Sequence, residues 1–311
     1  MRVATIDIGT NTVLLLVAEP GSDGCLVAVE EHATITRLGQ GVDQTRTLAP
    51  EAVERTNACL DRYADVVKRL RVDKTAVVGT SAMRDAGGGD AVRAHVKALF
   101  GVEARTISGD EEARLTFRGA VSGLPVDGDG RVVVFDIGGG STEVVDGERT
   151  TGTIHYARSY DVGSVRLTER HVRTDPPTEG ERAAVMRAAR DAFATIPESV
   201  RGAPVVGIAG TVTTLAAVSL AMVDYDGARV HGLVLEVSEL ERVIAKLGVP
   251  LDERKRIAGL DPKRADVIIA GALVALAFLE RVGASSLAIS DRGVRWGLAE
   301  ELANASQSPA L

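Results

Sequence analysis

The hexapeptide Asp7-Ile8-Gly9-Thr10-Asn11-Thr12 returns 129 residues later as Asp136-Ile137-Gly138-Gly139-Gly140-Ser141. Each copy reads D-I-G, two residues, then a hydroxyl. Each follows a β-branched run, 3–8 or 132–137, and strand character resumes after each turn, at 13–18 and 142–145. The pattern predicts two hairpins closed by tight turns. A third strand is expected after each, near residues 25–36 and 150–160. Helices and strands then alternate: helix 50–70 with Pro50 at its start, strand 75–79, helix 90–100, strand 103–107 and helix 109–121. The turn-rich stretch 124–130 reads as a boundary. The second half predicts helices 163–171 and 178–195, a loop at Asp175-Pro176-Pro177, strand 205–208 and further helices. A repeated unit of this kind implies a duplicated α/β fold with a cleft between its halves. The expected domains are 1–124 and 125–311, with the last helix able to pack back on the first.

Composition narrows the functions open to such a chain. Its 311 residues suit two domains, and 45% apolar with 25% charged residues is an ordinary globular balance. A net charge of −7 argues against a general nucleic-acid or membrane-surface binder. Cys25 and Cys59 form no C-x-x-C motif, and the five histidines lack metal-ligand spacing. The longest apolar run, 267–279, has 13 residues and predicts a buried helix rather than a membrane span. Asp7 and Asn11 interrupt the apolar N-terminus, so no leader is expected and the cytoplasm is the expected home.

Gly- and Thr-rich turns can aim several backbone N–H groups at one point, which favours an anion. Two such turns at matching points of two halves would grip a phosphate chain from both sides. The aspartate before each turn could hold a metal ion or a water. A third turn, Gly207-Ile208-Ala209-Gly210-Thr211-Val212-Thr213-Thr214, joins a strand to a helix, where anions are favoured at the N-terminus. In Ser108-Gly109-Asp110-Glu111-Glu112-Ala113-Arg114, Ser108 and Glu111 fit a capping box. Glu112 has no capping duty and is expected at the domain junction, either as a solvated carboxylate or as a proton acceptor for water. Arg84 follows a strand and suits either a phosphate or an ion pair with Asp85 or a neighbour. The run Asp252-Glu253-Arg254-Lys255-Arg256 reads as a solvated helix face.

Taken in order, these segments resemble the Ppx/GppA phosphatase family of exopolyphosphatases and guanosine pentaphosphate phosphohydrolases. The resemblance is carried by I-D-I-G-T-N-T from Ile6, G-T-S-A-M-R from Gly79 and I-S-G-D-E-E-A-R-L from Ile107. It continues through F-D-I-G-G-G-S-T-E from Phe135, G-T-V-T-T-L from Gly210 and G-V-R-W-G from Gly293. It implies an actin-like, ribonuclease-H-like two-domain fold and Mg²⁺-assisted hydrolysis of a terminal phosphoanhydride. By motif match, Glu112 takes the catalytic carboxylate position and Arg84 that of an arginine at the cleft. Asp136 and Glu143 take the metal-linked positions. Gly9, Thr10, Asn11, Gly138, Gly139, Gly140 and Ser141 take the phosphate-loop positions, and Gly210 and Thr211 add to them.

The expected function is therefore an exopolyphosphatase that releases orthophosphate from inorganic polyphosphate. Phosphohydrolysis of pppGpp or another nucleotide is the alternative. An actin-like nucleotide-binding assembly or regulatory protein is the alternative of another class. Neither a nucleic-acid duplex nor a membrane is an expected partner, and the resemblance implies a homodimer. The chain departs from the family pattern at three points. Gly87-Gly88-Gly89 replaces an asparagine, so Asp90 is expected to cap the next helix. Trp296 stands at a position that is usually acidic, beside Arg295 as a further cation. The chain stops at Leu311 without the helical extension of longer relatives, which implies a preference for short polyphosphates and poorly processive cutting.

Overall fold

The computed structural model describes residues 1–22, 26–122, 124 and 130–304. Residues 125–129 of the expected boundary, and Cys25, lie outside them. The chain divides into two compact units: Met1–Gly119 with Val294–Leu311, and Ala120–Gly293.

In the first unit the elements run β1 (Val3–Ile8), β2 (Thr12–Pro20), β3 (Leu26–Ile35), α1 (Val42–Thr45), α2 (Pro50–Arg69), β4 (Lys74–Gly79), α3 (Ser81–Asp85), α4 (Asp90–Phe100), β5 (Ala104–Thr106) and α5 (Gly109–Val121). The second unit continues with β6 (Arg131–Ile137), β7 (Thr142–Glu148), β8 (Ile154–Tyr160), α6 (Ser164–His171), α7 (Glu179–Phe193), β9 (Val205–Ile208) and α8 (Ala209–Ser219). It ends with α9 (Gly227–Val230), β10 (Val234–Glu236), α10 (Val237–Leu247), α11 (Leu251–Arg254), α12 (Ile268–Val282) and β11 (Ser286–Ile289). The final helix, α13 (Val294–Asn304), belongs to the first unit.

The first sheet has the order β3-β2-β1-β4-β5 and the second β10-β11-β9-β6-β7-β8. Read from β8, the second sheet repeats the first and adds β10 outside β11. In both, the opening three strands are antiparallel and the next two join parallel to the first. This is the expected duplicated actin-like α/β fold.

Strand alternation fixes which side chains face which layer. In the first unit Ala4, Ile6 and Ile8, with Val13, Leu15 and Val17, pack under Leu60, Val92 and Val96 of the helices. On the other face Val3, Leu16 and Ala18 meet Trp296 and Ala299 of α13. In the second unit Phe135 stacks on Phe278 at a ring-centroid distance of 4.5 Å, and Phe193 meets Phe278 edge-on at 5.6 Å. Helix α12 is buried on nearly every side, which explains its continuous apolar run. Among the described residues, no helix is long and apolar enough to cross a membrane.

Candidate active site

Both D-I-G turns close in the same way. Gly9 N–H donates to Thr12 O at 3.0 Å, and Gly138 N–H donates to Ser141 O at 3.0 Å. In the first turn the carbonyls face a neighbouring segment. Thr10 O accepts from Gly39 N at 2.8 Å, and Asn11 O accepts from Thr36 N and Arg37 N at 3.0 and 2.9 Å. In the second turn Gly138 O accepts from Ser164 N at 3.0 Å, and Gly139 O accepts from Val165 N and Arg166 N at 2.9 and 3.0 Å. A trans peptide points its N–H opposite to its C=O. The N–H groups of Asn11, Gly139 and Gly140 therefore face away from these anchors, as an anion-binding turn requires.

Two glycines make the close approaches possible. A Cβ on Gly39 would lie 2.3 Å from Thr10 Cγ2, and one on Gly163 would lie 2.4 Å from Gly139 O. Asn11 is buried, and its Oδ1 has no hydrogen-bond partner among the described residues. Such an acceptor is costly unless a donor from a ligand or water reaches it.

In the first unit β4 delivers the chain to α3, which carries Arg84. Its Nη1 donates to Glu112 Oε2 at 3.1 Å and to Ile107 O at 3.0 Å, and its Nε lies 3.4 Å from Asp85 Oδ1. Glu112 is only 7% exposed. Glu112 is therefore not a solvated carboxylate but a buried, ion-paired one, and Arg84 pairs with both Asp85 and Glu112. The capping box is half formed. Glu111 N–H donates to Ser108 Oγ at 3.2 Å, but the Glu111 carboxylate is engaged by Arg105 instead of reaching back. Helix α13 seats α5 closely, since a Cβ on Gly297 would fall 2.1 Å from Leu115 O.

In the second unit Asp136 on β6 and Glu143 on β7 are direct cross-strand partners. Glu143 is buried and accepts from Ser159 Oγ at 2.6 Å. Like charges directly opposite each other on a sheet repel, so this pair favours a cation. The third turn is held differently. Thr211 Oγ1 donates to Ile137 O at 3.0 Å, Thr213 Oγ1 to Ala209 O at 3.1 Å and Thr214 Oγ1 to Gly210 O at 2.6 Å. The hydroxyl proton of Thr211 is thus spent on the strand that leads into the second D-I-G turn.

The family model for the Ppx/GppA phosphatase family matches residues 16–305. The chain belongs to the Ppx/GppA phosphatase family. It is 41% identical to Exopolyphosphatase 2 of Mycobacterium tuberculosis over 97% of this chain and 98% of that one. It is 29% identical to the guanosine-5'-triphosphate,3'-diphosphate pyrophosphatase of Vibrio atlanticus, over 96% of this chain and 59% of that one. The crystal structure of the Aquifex aeolicus Ppx/GppA family member superposes with a TM-score of 0.83 at 32% identity, covering 99% of each chain.

Within this Ppx/GppA fold, three expectations from the sequence are corrected. Arg254 is not on a solvated face: it is 2% exposed. Its guanidinium donates to Leu247 O, Val249 O and Ala265 O at 2.7, 2.7 and 2.8 Å, and to Asp175 Oδ1 at 3.0 Å. Helix α4 has Gly89 at its N-cap, and Asp90 pairs with Arg93 at 2.8 Å instead of capping. Arg295 is paired with Glu31 at 2.6 Å, and Trp296 is core. One cation was not singled out from the sequence. The Arg264 guanidinium lies against Gly210, where its Nη1 and Nη2 would be 2.4 Å from an added Cβ. Nothing in the local pattern P-K-R announces that contact, because 54 residues separate the partners.

Proposed function

We propose that this chain is an exopolyphosphatase, a phosphoanhydride hydrolase that releases orthophosphate from the end of inorganic polyphosphate. The observation that carries the reading is the buried Glu112 carboxylate held by Arg84 at 3.1 Å, on the first turn of the helix that bears the S-G-D-E-E-A-R motif. A binding module has no need of a carboxylate fixed in this way. The relative at 41% identity carries the exopolyphosphatase name, and the guanosine-nucleotide hydrolase stands at 29%.

In this reading Glu112 orients the attacking water and takes its proton. Arg84 holds that carboxylate in place and sets its positive charge beside the equatorial phosphate oxygens. The outward N–H groups of Asn11, Gly139 and Gly140, with the Ser141 hydroxyl, bind phosphate oxygens. Arg264, beside Gly210, is a further cation for the polyanion. Asp136 and Glu143 would hold Mg²⁺: carboxylates supply hard oxygen ligands that suit that ion, and the two residues are cross-strand partners on one hairpin. When bound, Mg²⁺ neutralises phosphate oxygens. The leaving group is itself a phosphate and needs little protonation. A homodimer and a cytoplasmic location belong to the same reading.

The test is phosphate release from polyphosphate, pppGpp and ATP measured side by side with Mg²⁺. The expected result is the highest kcat/KM with polyphosphate. A higher value with pppGpp would replace this substrate assignment, and no release from any of the three would remove the hydrolase reading.

A further inference from the structure

Helix α12 contains a single glycine, Gly271, inside its most buried stretch. Glycine is the weakest helix former after proline, and a buried helix normally gains from a Cβ. The packing here leaves no room for one. A Cβ on Gly271 would lie 2.6 Å from Thr211 Cγ2, 3.1 Å from Ser164 Cβ and 3.2 Å from Thr211 Oγ1.

Those neighbours are the two side chains whose hydroxyls hold the entry to the second D-I-G turn. Thr211 Oγ1 donates to Ile137 O at 3.0 Å, and Ser164 Oγ donates to Gly138 O at 3.3 Å. Threonine is stiff about χ1 and has few ways to yield. A methyl group pressing on Thr211 Cγ2 must rotate or shift the side chain, and either movement breaks the bond to Ile137 O. The Ile137–Gly138 peptide that leads into the turn would then lose its side-chain anchor, and the turn carrying the Gly139 and Gly140 N–H groups would shift with it.

We infer that Gly271 is a positioning residue for the phosphate turn Gly138–Ser141, acting through Thr211 and Ser164. This rests on the reading of that turn as a phosphate site. The remote helix α12 thereby sets substrate affinity by lacking a side chain at one point.

The test compares Gly271→Ala in two backgrounds, the natural chain and Thr211→Ser. The serine removes the methyl group at 2.6 Å and keeps the hydroxyl. With long-chain polyphosphate as substrate, Gly271→Ala should lower kcat/KM by about tenfold or more in the natural background, chiefly through KM. In the Thr211→Ser background the loss should stay within about threefold, because contacting residues couple. Rates are normalised to the folded fraction measured by circular dichroism. Equal losses in both backgrounds, or an unchanged KM in the folded fraction, would overturn the inference. If Gly271→Ala alone yields no folded protein, recovery of folding and KM in the double variant supports the route through the Thr211 methyl, and failure to recover overturns it. Ser141→Ala separates the two levels. A raised KM in Ser141→Ala with an unchanged KM in Gly271→Ala removes only the role of Gly271. An unchanged KM in both removes the phosphate reading of the turn.

Discussion

Arg84 Nη1 donates to Glu112 Oε2 at 3.1 Å across 28 residues of sequence, joining a short helix after β4 to the first turn of α5. The neighbouring Glu111 faces an exposed arginine instead. The two adjacent glutamates therefore have different work. Glu112→Gln should retain the melting temperature and lose about 10²–10⁴ in kcat, the usual effect of removing a general base. Glu111→Gln should keep its activity and change stability by no more than about 0.5 kcal/mol, as for exposed ion pairs. Phosphate release and thermal melting of both variants check the assignment. Inactivity in Glu111→Gln would reverse it.

The two hairpins share a register but not a charge pattern. Asp7 faces Leu14 on the first, and Asp136 faces Glu143 on the second. Only the second carries carboxylate residues at both of these paired register positions. Asp136→Asn should raise the Mg²⁺ concentration needed for half-maximal rate and reduce the rise in melting temperature that Mg²⁺ produces in the natural protein. A melting titration with Mg²⁺ alone reads the binding separately from turnover. An unchanged titration would exclude Asp136 from the metal site.

Buried Arg254 joins Asp175 to three backbone carbonyls, those of Leu247 and Val249 at the end of α10 and that of Ala265 before α12. Arg254→Met fills much of the volume and leaves all of these acceptors without their donors. The expected cost is about 3 kcal/mol or more. Urea unfolding should show a lower midpoint, whereas the exposed neighbour Lys255→Met should leave the midpoint nearly unchanged.

The capping box at the start of α7 makes a prediction about pH. Thr178 Oγ1 accepts from Glu181 N–H, and the Glu181 carboxylate accepts from Thr178 N–H at 2.8 Å and from the Thr174 hydroxyl. The Thr174 hydroxyl, followed by the Thr178 N–H, pulls the Glu181 carboxyl down to about 2. A depressed carboxylate stabilises the fold fully above its unfolded pKa of about 4.3 and loses that contribution as pH falls toward the folded value. The stability of the natural protein should therefore fall between about pH 4.5 and pH 2 more steeply than that of Glu181→Gln. Parallel pH profiles of the unfolding midpoint would contradict this.

Several expectations depended only on neighbours in the chain, and the structure agrees with them. The D-I-G turns, the helices starting at Pro50, Asp90 and Gly109, and the strand at Val205–Ile208 all occur as expected. Hairpin closure involves residues three apart, as in Gly9 N–H to Thr12 O. Helical periodicity likewise repeats within a few residues. The half-formed box at Ser108 marks the edge of this reach. The backbone half of the motif is local and formed, but the Glu111 carboxylate turned to Arg105, a choice set by a strand that precedes the helix.

The sequence by itself determined the repeat, the turns and the residue types gathered in them, because each depends on short-range geometry. Only the tertiary structure decided that Glu112 is buried, that Arg254 is core, that Arg264 lies on Gly210 and that Gly271 supports a turn it never touches. These facts arise where segments far apart in the chain pack at van der Waals distance. Whether a charged or small residue there is solvated, paired or wedged depends on the surfaces around it, and those surfaces exist only once both sheets have been covered by their helices.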